Sequence, residues 1–195
     1  MPVNFDALRH RFGEVFTTSQ FRDNRRLILP AVHAPHVLLP LLQCLKEEYG
    51  FDMLAELGGI DYLGYPQAQD RYAVVYGLTN TQTGERLFVK AYANDPQPEL
   101  PSVTGLWRGA NWLEREVYDM YGIRFIGHPD LRRILMPDGF EDHPLRKDFP
   151  VTGKPTEVPD VAFTNAAPIE GGPFVTLPGG KDAIEREPRV RTPEI

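Results

Sequence analysis

Glu114, Glu116 and Asp119 fall close together, and the groups that could answer them follow within a short stretch: Arg115, Arg124, His128, Arg132 and Arg133, then His143, Arg146, Lys147 and Asp148. Such a set could hold a metal, run acid–base chemistry, grip phosphates or fasten one polypeptide to another. Spacing separates these options. On a helix, Glu114 and Glu116 point about 200° apart, so they do not form a single acid–base pair. Glu114 shares a face with Tyr118, and Arg115 shares one with Asp119. The second pair is expected to be an ordinary i,i+4 ion pair of about 0.2–0.5 kcal/mol. This pattern predicts a salt-bridge lattice, with no catalytic residue in it.

Metal chemistry finds little support. The histidines are His10, His33, His36, His128 and His143, and the one cysteine is Cys44. His33, His36 and Cys44 do not follow a recognised zinc spacing, and a four-thiolate zinc or iron–sulfur site is excluded within the chain. His33 and His36 are expected to cap or line a helix start. His128 and His143 each precede a proline and are expected to form turns. Cys44 lies among leucines and reads as a small buried hydrophobe. No GxGxxG or Walker lysine motif is present, and no Gly-Gly pair opens a phosphate-binding helix, so neither a dinucleotide nor a P-loop nucleotide is expected here.

The formal net charge of −6 argues against a general nucleic-acid surface. The local arginines are interleaved with Asp130, Asp138, Glu141, Asp142 and Asp148, and they lie beside Tyr118, Tyr121, Phe125, Phe140 and Phe149. Mixed charge with aromatics fits a protein interface, or a closed network that pins a helix to its following loop. The chemistry of the residues leaves both open. The segment MPVNFDALRHRF has no long apolar run of the signal-peptide kind. LILPAVHAPHVLLPLL is interrupted by prolines and histidines and falls short of a membrane span.

Certain elements must position these groups. Phe5, Leu8, Phe12 and Val15/Phe16 predict a first helix, and RLILPAV a strand ending near Pro30. Val37, Leu38, Leu41, Leu42 and Leu45 predict a second helix. Pro35 belongs at its start, Pro40 in the first turn or at a kink, and Gly50 at its stop. DMLAELGGIDYL, RYAVVYGL and RLFVKAYA predict strands, the last two joined as an antiparallel hairpin through TNTQTG. Gly58-Gly59 marks a bulge or a close backbone approach. NDPQPELPSVTG reads as a loop. Leu106, Ala110, Leu113, Val117 and Met120/Tyr121 then predict a helix capped by Thr104 and stopped by Gly122. The implied fold is α+β, a mixed or antiparallel sheet covered by helices. Residues 151–195 hold seven prolines and five glycines and predict an extended C-terminal tail.

Residues 110–150, ANWLEREVYDMYGIRFIGHPDLRRILMPDGFEDHPLRKDFP, resemble the signature region of the 30 kDa subunit family of respiratory complex I, whose bacterial members are the C subunits of NADH–quinone oxidoreductase. The resemblance rests on Glu114-Arg115-Glu116, on Tyr118-Asp119-Met120-Tyr121-Gly122, on the run from Gly127-His128-Pro129 to Arg132-Arg133, and on Gly139-Phe140. His143-Pro144-Leu145-Arg146-Lys147-Asp148-Phe149-Pro150 completes it. Residues 59–78 and the stretch from Leu87 to Asp119 are similar to the family too, so that about 25–150 resembles its core.

That resemblance implies an α+β domain over 1–150 and a tail, 151–195, wrapping a partner subunit. It implies a non-catalytic structural and assembly subunit of the peripheral arm of proton-pumping NADH–quinone oxidoreductase. The resemblance implies no cofactor in this chain; the expected partners are the 49 kDa quinone-site subunit and other peripheral-arm subunits, which would carry the FMN, iron–sulfur clusters and quinone. The expected location is the cell membrane, peripheral, on the cytoplasmic side. An equivalent subunit of a photosynthetic-type complex or a group 4 hydrogenase, with another electron donor, is the alternative, and a stand-alone adaptor is a further one. Within the block, Glu114, Arg115, Glu116 and Asp119 carry the acidic-helix half of the signature, and His128, Arg132 and Arg133 the second half. Glu116 and Asp119 are expected to hold Arg132 or Arg133 across a rigid Gly-His-Pro turn.

Overall fold

Asn4 begins the first helix by accepting the N–H groups of Asp6 and Ala7, at 3.0 and 3.2 Å, which satisfies two of the donors a helix start leaves open. In the computed structural model, which describes residues 3–137 and 139–150, this helix α1 covers Phe5–Phe12. It stops at Gly13, whose φ of +82° suits glycine. The expected continuation to Phe16 is corrected: Phe16 is buried on the way into a strand that the sequence does not announce, β1, Thr17–Phe21. The polar run TTSQF has no alternating apolar face, and its pairing with β2, Asn24–Leu29, makes it a strand.

Helix α2, Ala34–Glu47, carries Leu38, Leu41, Leu42 and Leu45 fully buried. Pro40 sits inside this helix, not in its first turn. A mid-helix proline costs about 3 kcal/mol, whereas burying each leucine contributes about 1.5–3 kcal/mol, so the stripe carries the helix through. His36, whose carbonyl lost its partner, is exposed to water. His33 occupies the cap position but makes no side-chain cap bond.

Strands β3 (Met53–Asp61), β4 (Tyr72–Thr79) and β5 (Arg86–Ala93) complete a five-stranded sheet in the order β1-β2-β5-β4-β3. The β2–β5 pair is parallel and the other pairs antiparallel, so the sheet is mixed, as the sequence implies. Alternation places Leu27, Leu29, Leu87, Val89, Ala91, Tyr72, Val74, Tyr76 and Leu78 on one buried face. The bulge in β3 lies between Leu54 and Glu56, not at the glycines. Gly59 is the close approach: a Cβ there would sit 2.5 Å from the Tyr121 ring.

Two short strands lie where the sequence pattern suggests only loop. Glu99–Pro101 is strand β6, parallel to β7, Arg124–Ile126. Between them runs helix α3, Ala110–Tyr121, which packs against β3. Its N-terminus begins later than the apolar stripe suggests. Gly109 is the cap residue and makes no side-chain bond, while Thr104 turns its hydroxyl to Ser102. Gly122 ends α3 with φ +73°, as expected. The tail, 151–195, lies outside the described residues.

Candidate functional site

Helix α3 points its charged side chains in different directions, and each finds a distinct partner. Asp119 is fully buried and collects the segment that follows β7. Its Oδ1 accepts Nη1 of Arg133 at 2.7 Å. Its Oδ2 accepts the backbone N–H groups of Ile134, Leu135 and Met136 at 3.0, 2.7 and 2.9 Å. Burial opposes ionisation, but these four donors outweigh it and hold the carboxyl below its ordinary value. The Asp119 carbonyl also accepts the Nδ1–H of His143 at 3.0 Å. Burial holds that imidazole below its usual value, which keeps it neutral and edge-on to Tyr118.

Arg115 does not pair with Asp119, contrary to the i,i+4 expectation. Its guanidinium lies over the Trp112 ring, 4.9 Å from the centroid, and donates to the carbonyls of Arg132 and Arg133 at 3.1 and 3.3 Å. The loop is therefore held through its carbonyls by Arg115 and through its N–H groups by Asp119. Half of the anchoring expectation holds, in that Asp119 binds Arg133. The other half is corrected: Glu116 is exposed and has no ion-pair partner among the described residues, and Arg132 pairs with Asp130 at 2.9 Å. Glu116 projects from the side of α3 that the loop leaves uncovered.

Glu114 faces the opposite way, into the seam between α3 and β6. It is fully buried and accepts Ser102 Oγ and the Val103 N–H, both at 2.7 Å. His128 forms the other wall. Its Nε2–H donates to the Asn111 carbonyl at 3.1 Å and its Nδ1 accepts the Asp130 N–H at 3.0 Å, so it shapes the Gly-His-Pro turn. The turn-forming role expected of both histidines is observed.

The end of the signature is fastened to the sheet. Arg146 Nε donates to the Tyr121 carbonyl at 2.6 Å, and its guanidinium lies over Tyr72. Gly122 lies directly beneath this contact, where a Cβ would strike His143 and Arg146. The backbone N–H of Lys147 donates to Asp61 at 2.8 Å, leaving the charged end of that side chain unused in this contact. Asp148 reaches Arg71 at 2.8 Å. Arg71 also binds Asp61 at 3.3 Å and Asp95 at 2.7 Å, so one guanidinium gathers three carboxylates from three parts of the chain. Burial raises Asp61, but Arg71 and the N–H groups of Lys147 and Leu63 outweigh it and lower the carboxyl overall. Sequence reasoning misses Arg71, Asp61, Asp95 and Ser102. Their partners are far away in the chain, and no local spacing signals them.

Among the described residues, no three His, Cys, Asp or Glu side chains gather to hold a metal ion, and no helix is long and apolar enough to cross a membrane. The arrangement is that of an α+β domain whose charged motif ties its own helix, loop and sheet together. The family described as respiratory-chain NADH dehydrogenase, 30 kDa subunit, matches residues 31–155, and the chain belongs to that family.

Similar proteins agree. NADH-quinone oxidoreductase subunit 5 of Thermus thermophilus is 52% identical over 113 residues, 55% of each chain. The C subunit of NADH-quinone oxidoreductase from Sinorhizobium medicae is 42% identical over 168 residues, 76% of this chain and 81% of that one. The match spans about half the length of the Thermus relative. Among solved structures, a trypsin-resistant fragment of Nqo5 superposes with a TM-score of 0.55 at 36% identity, over 65% of this chain and 98% of the fragment. A chain of an archaeal membrane-bound sulfane sulfur reductase superposes with a TM-score of 0.60 at 22% identity, covering 75% of this chain and 84% of that one, which is a likeness of fold.

Proposed function

We propose that this chain is a structural and assembly subunit in the peripheral arm of a proton-pumping NADH–quinone oxidoreductase. It packs beside the 49 kDa quinone-site subunit on the cytoplasmic side of the membrane. Electron transfer from NADH to quinone runs through FMN and iron–sulfur clusters held by neighbouring subunits, and this chain supplies no catalytic group. Residues 1–150 serve as the docking domain and 151–195 as an extended wrap over the partner.

The observation that carries this reading is the family membership joined to the state of the signature charges. Glu114, Arg115, Asp119, His128, Arg133 and Arg146 direct their hydrogen bonds inside the chain, which builds a rigid platform. Contact with a partner then falls to the side chains left outside. Trp112, 64% exposed on the Arg115 guanidinium, and Leu135, 61% exposed on the loop that Asp119 holds, have the character of interface anchors.

Recovery of tagged full-length chain in mild detergent tests the proposal. The quinone-site subunit should accompany it, together with the NADH-oxidising module. A chain recovered alone, from cells that assemble the rest normally without it, would refute the reading.

A further inference from the structure

Three carboxylates are buried in the described core, and they are treated differently. Asp119 and Asp61 each face a guanidinium and backbone N–H groups. Glu114 faces no guanidinium or ammonium. Its two donors are a hydroxyl and one N–H, both neutral. The nearest ring nitrogen is Nε2 of His128, 3.9 Å from Oε2, and its proton is committed to the Asn111 carbonyl. Its Nδ1 accepts the Asp130 N–H, so both ring nitrogens are engaged by backbone groups and the ring sends Glu114 no donor.

The other walls supply none either. From β4, Tyr76 is fully buried, and its hydroxyl has no hydrogen-bond partner among the described residues. Burial and the Glu114 charge keep that phenol well above its ordinary value, so it is neutral. From α2, Lys46 directs its ammonium to the Leu106 carbonyl and over the Trp107 ring. On α3 itself, Arg115 is engaged with Trp112 and the loop carbonyls, and Tyr118 lies against His143.

The hydroxyls beside Glu114 suit both of its protonation states. Ser102 Oγ lies 2.7 Å from Glu114 Oε2 and 2.9 Å from Thr104 Oγ1, and either hydroxyl of the pair could donate to the other. With the carboxylate charged, Ser102 donates to Glu114 and accepts from Thr104. With the carboxyl protonated, Glu114 donates to Ser102 and Ser102 donates to Thr104. No hydrogen bond of the seam is broken by the exchange. Thr104 is partly exposed, so the outer residue of the hydroxyl pair reaches the surface.

We propose that Glu114 is a reversible proton-binding site inside the folded chain, filled and emptied through the Ser102–Thr104 hydroxyl pair. A proton from water joins Thr104 Oγ1, the Thr104 proton passes to Ser102 Oγ, and the Ser102 proton passes to Glu114 Oε2. One proton enters, one carboxylate charge is neutralised, and both hydroxyls are restored. Burial pushes the carboxyl up to about 7, against the pull of the Val103 and Ser102 hydrogen bonds, so the site changes state near neutral pH. The ligand is the proton itself. Its consequence is a seam between α3 and β6 whose charge follows the pH of the surrounding compartment.

An infrared titration of the full chain tests this. A protonated-carboxyl band should appear as pH falls through about 7, and it should be missing from Glu114→Gln. In Thr104→Val, which removes the outer hydroxyl, the band should persist with slower deuterium exchange. A buried-carboxyl band that survives Glu114→Gln would overturn the assignment of the site, and unchanged exchange in Thr104→Val would overturn the path. If Glu114→Gln does not fold, carbon-13 titration of the wild-type glutamates decides. One side-chain resonance moving near pH 7 supports the site, and every glutamate titrating at about its usual 4.3 overturns it.

Discussion

Replacing Asp119 by alanine should unfasten residues 133–136 while leaving the sheet intact. The variant removes the acceptor of four hydrogen bonds at 2.7–3.0 Å, one of them from the Arg133 guanidinium. Arg133 is 14% exposed and Asp119 wholly buried, so the pair belongs to the class whose rupture costs about 3–5 kcal/mol. Three orphaned N–H groups at about 1–3 kcal/mol each would add more if they stayed buried, but the loop can swing them into water, which brings the total back to about 3–5 kcal/mol. Asp119→Asn keeps one oxygen for the loop amides and sets an NH2 group against Arg133, so about half that loss is expected. Urea unfolding of the full chain gives the total, and hydrogen exchange at 134–136 gives the location. The sign with pH follows from the lowered carboxyl. The stabilisation is present above the unfolded value of 3.8 and disappears as pH falls through the folded one. A loss under about 1 kcal/mol, or protection at 134–136 equal to wild type, would refute the account of Asp119 as the fastener.

Three other variants separate the parts of the molecule. Gly59→Ala brings a Cβ to 2.5 Å from the Tyr121 ring, so α3 must shift from β3; a loss of about 1–3 kcal/mol in urea unfolding is expected, smaller in the double variant with Tyr121→Ala. Arg71→Lys exchanges a fork gripping Asp61, Asp95 and Asp148 for a point charge, and the melting temperature should drop by several degrees, by about 1–3 kcal/mol of lost stability. Trp112→Ala, at an exposed position, should change folding stability by less than about 1 kcal/mol yet reduce co-recovery of the neighbouring subunits in mild detergent.

The elements that can be read from the sequence are those whose pattern is set by the core. The leucine stripe of α2 is legible even with Pro40 inside it, because four buried side chains outweigh one missing hydrogen bond. The β4–β5 hairpin is legible from alternation and a polar turn. Strand β1 is not, because its polar residues acquire strand geometry only by pairing with β2 at the sheet edge. β6 and β7 are three residues each and exist as a pair brought together by α3, so neither has a local signature. The stripe sets the start of α3 too early for a related reason. Leu106 continues the apolar stripe, but it belongs to a turn that precedes the helix, and the neighbouring Trp107 is held by a bond from its indole to the Asp52 carbonyl at 3.1 Å.

The charged motif shows where local spacing stops being informative. Helical periodicity correctly places Arg115 and Asp119 on one face, yet each is taken by a better partner across the loop. An exposed i,i+4 pair contributes a few tenths of a kcal/mol, while a buried carboxylate that receives a guanidinium and three amides gains several times that. The acid left outside, Glu116, carries the same sequence signal as the two that are buried. Burial separates Glu116 from the other two acids of this helix, and the partners separate those two: a guanidinium and three backbone amides at Asp119, a hydroxyl and one amide at Glu114. In this chain the mixed-charge motif marks a fastening point, and Trp112, Glu116 and Leu135 are among the side chains which that fastening leaves exposed.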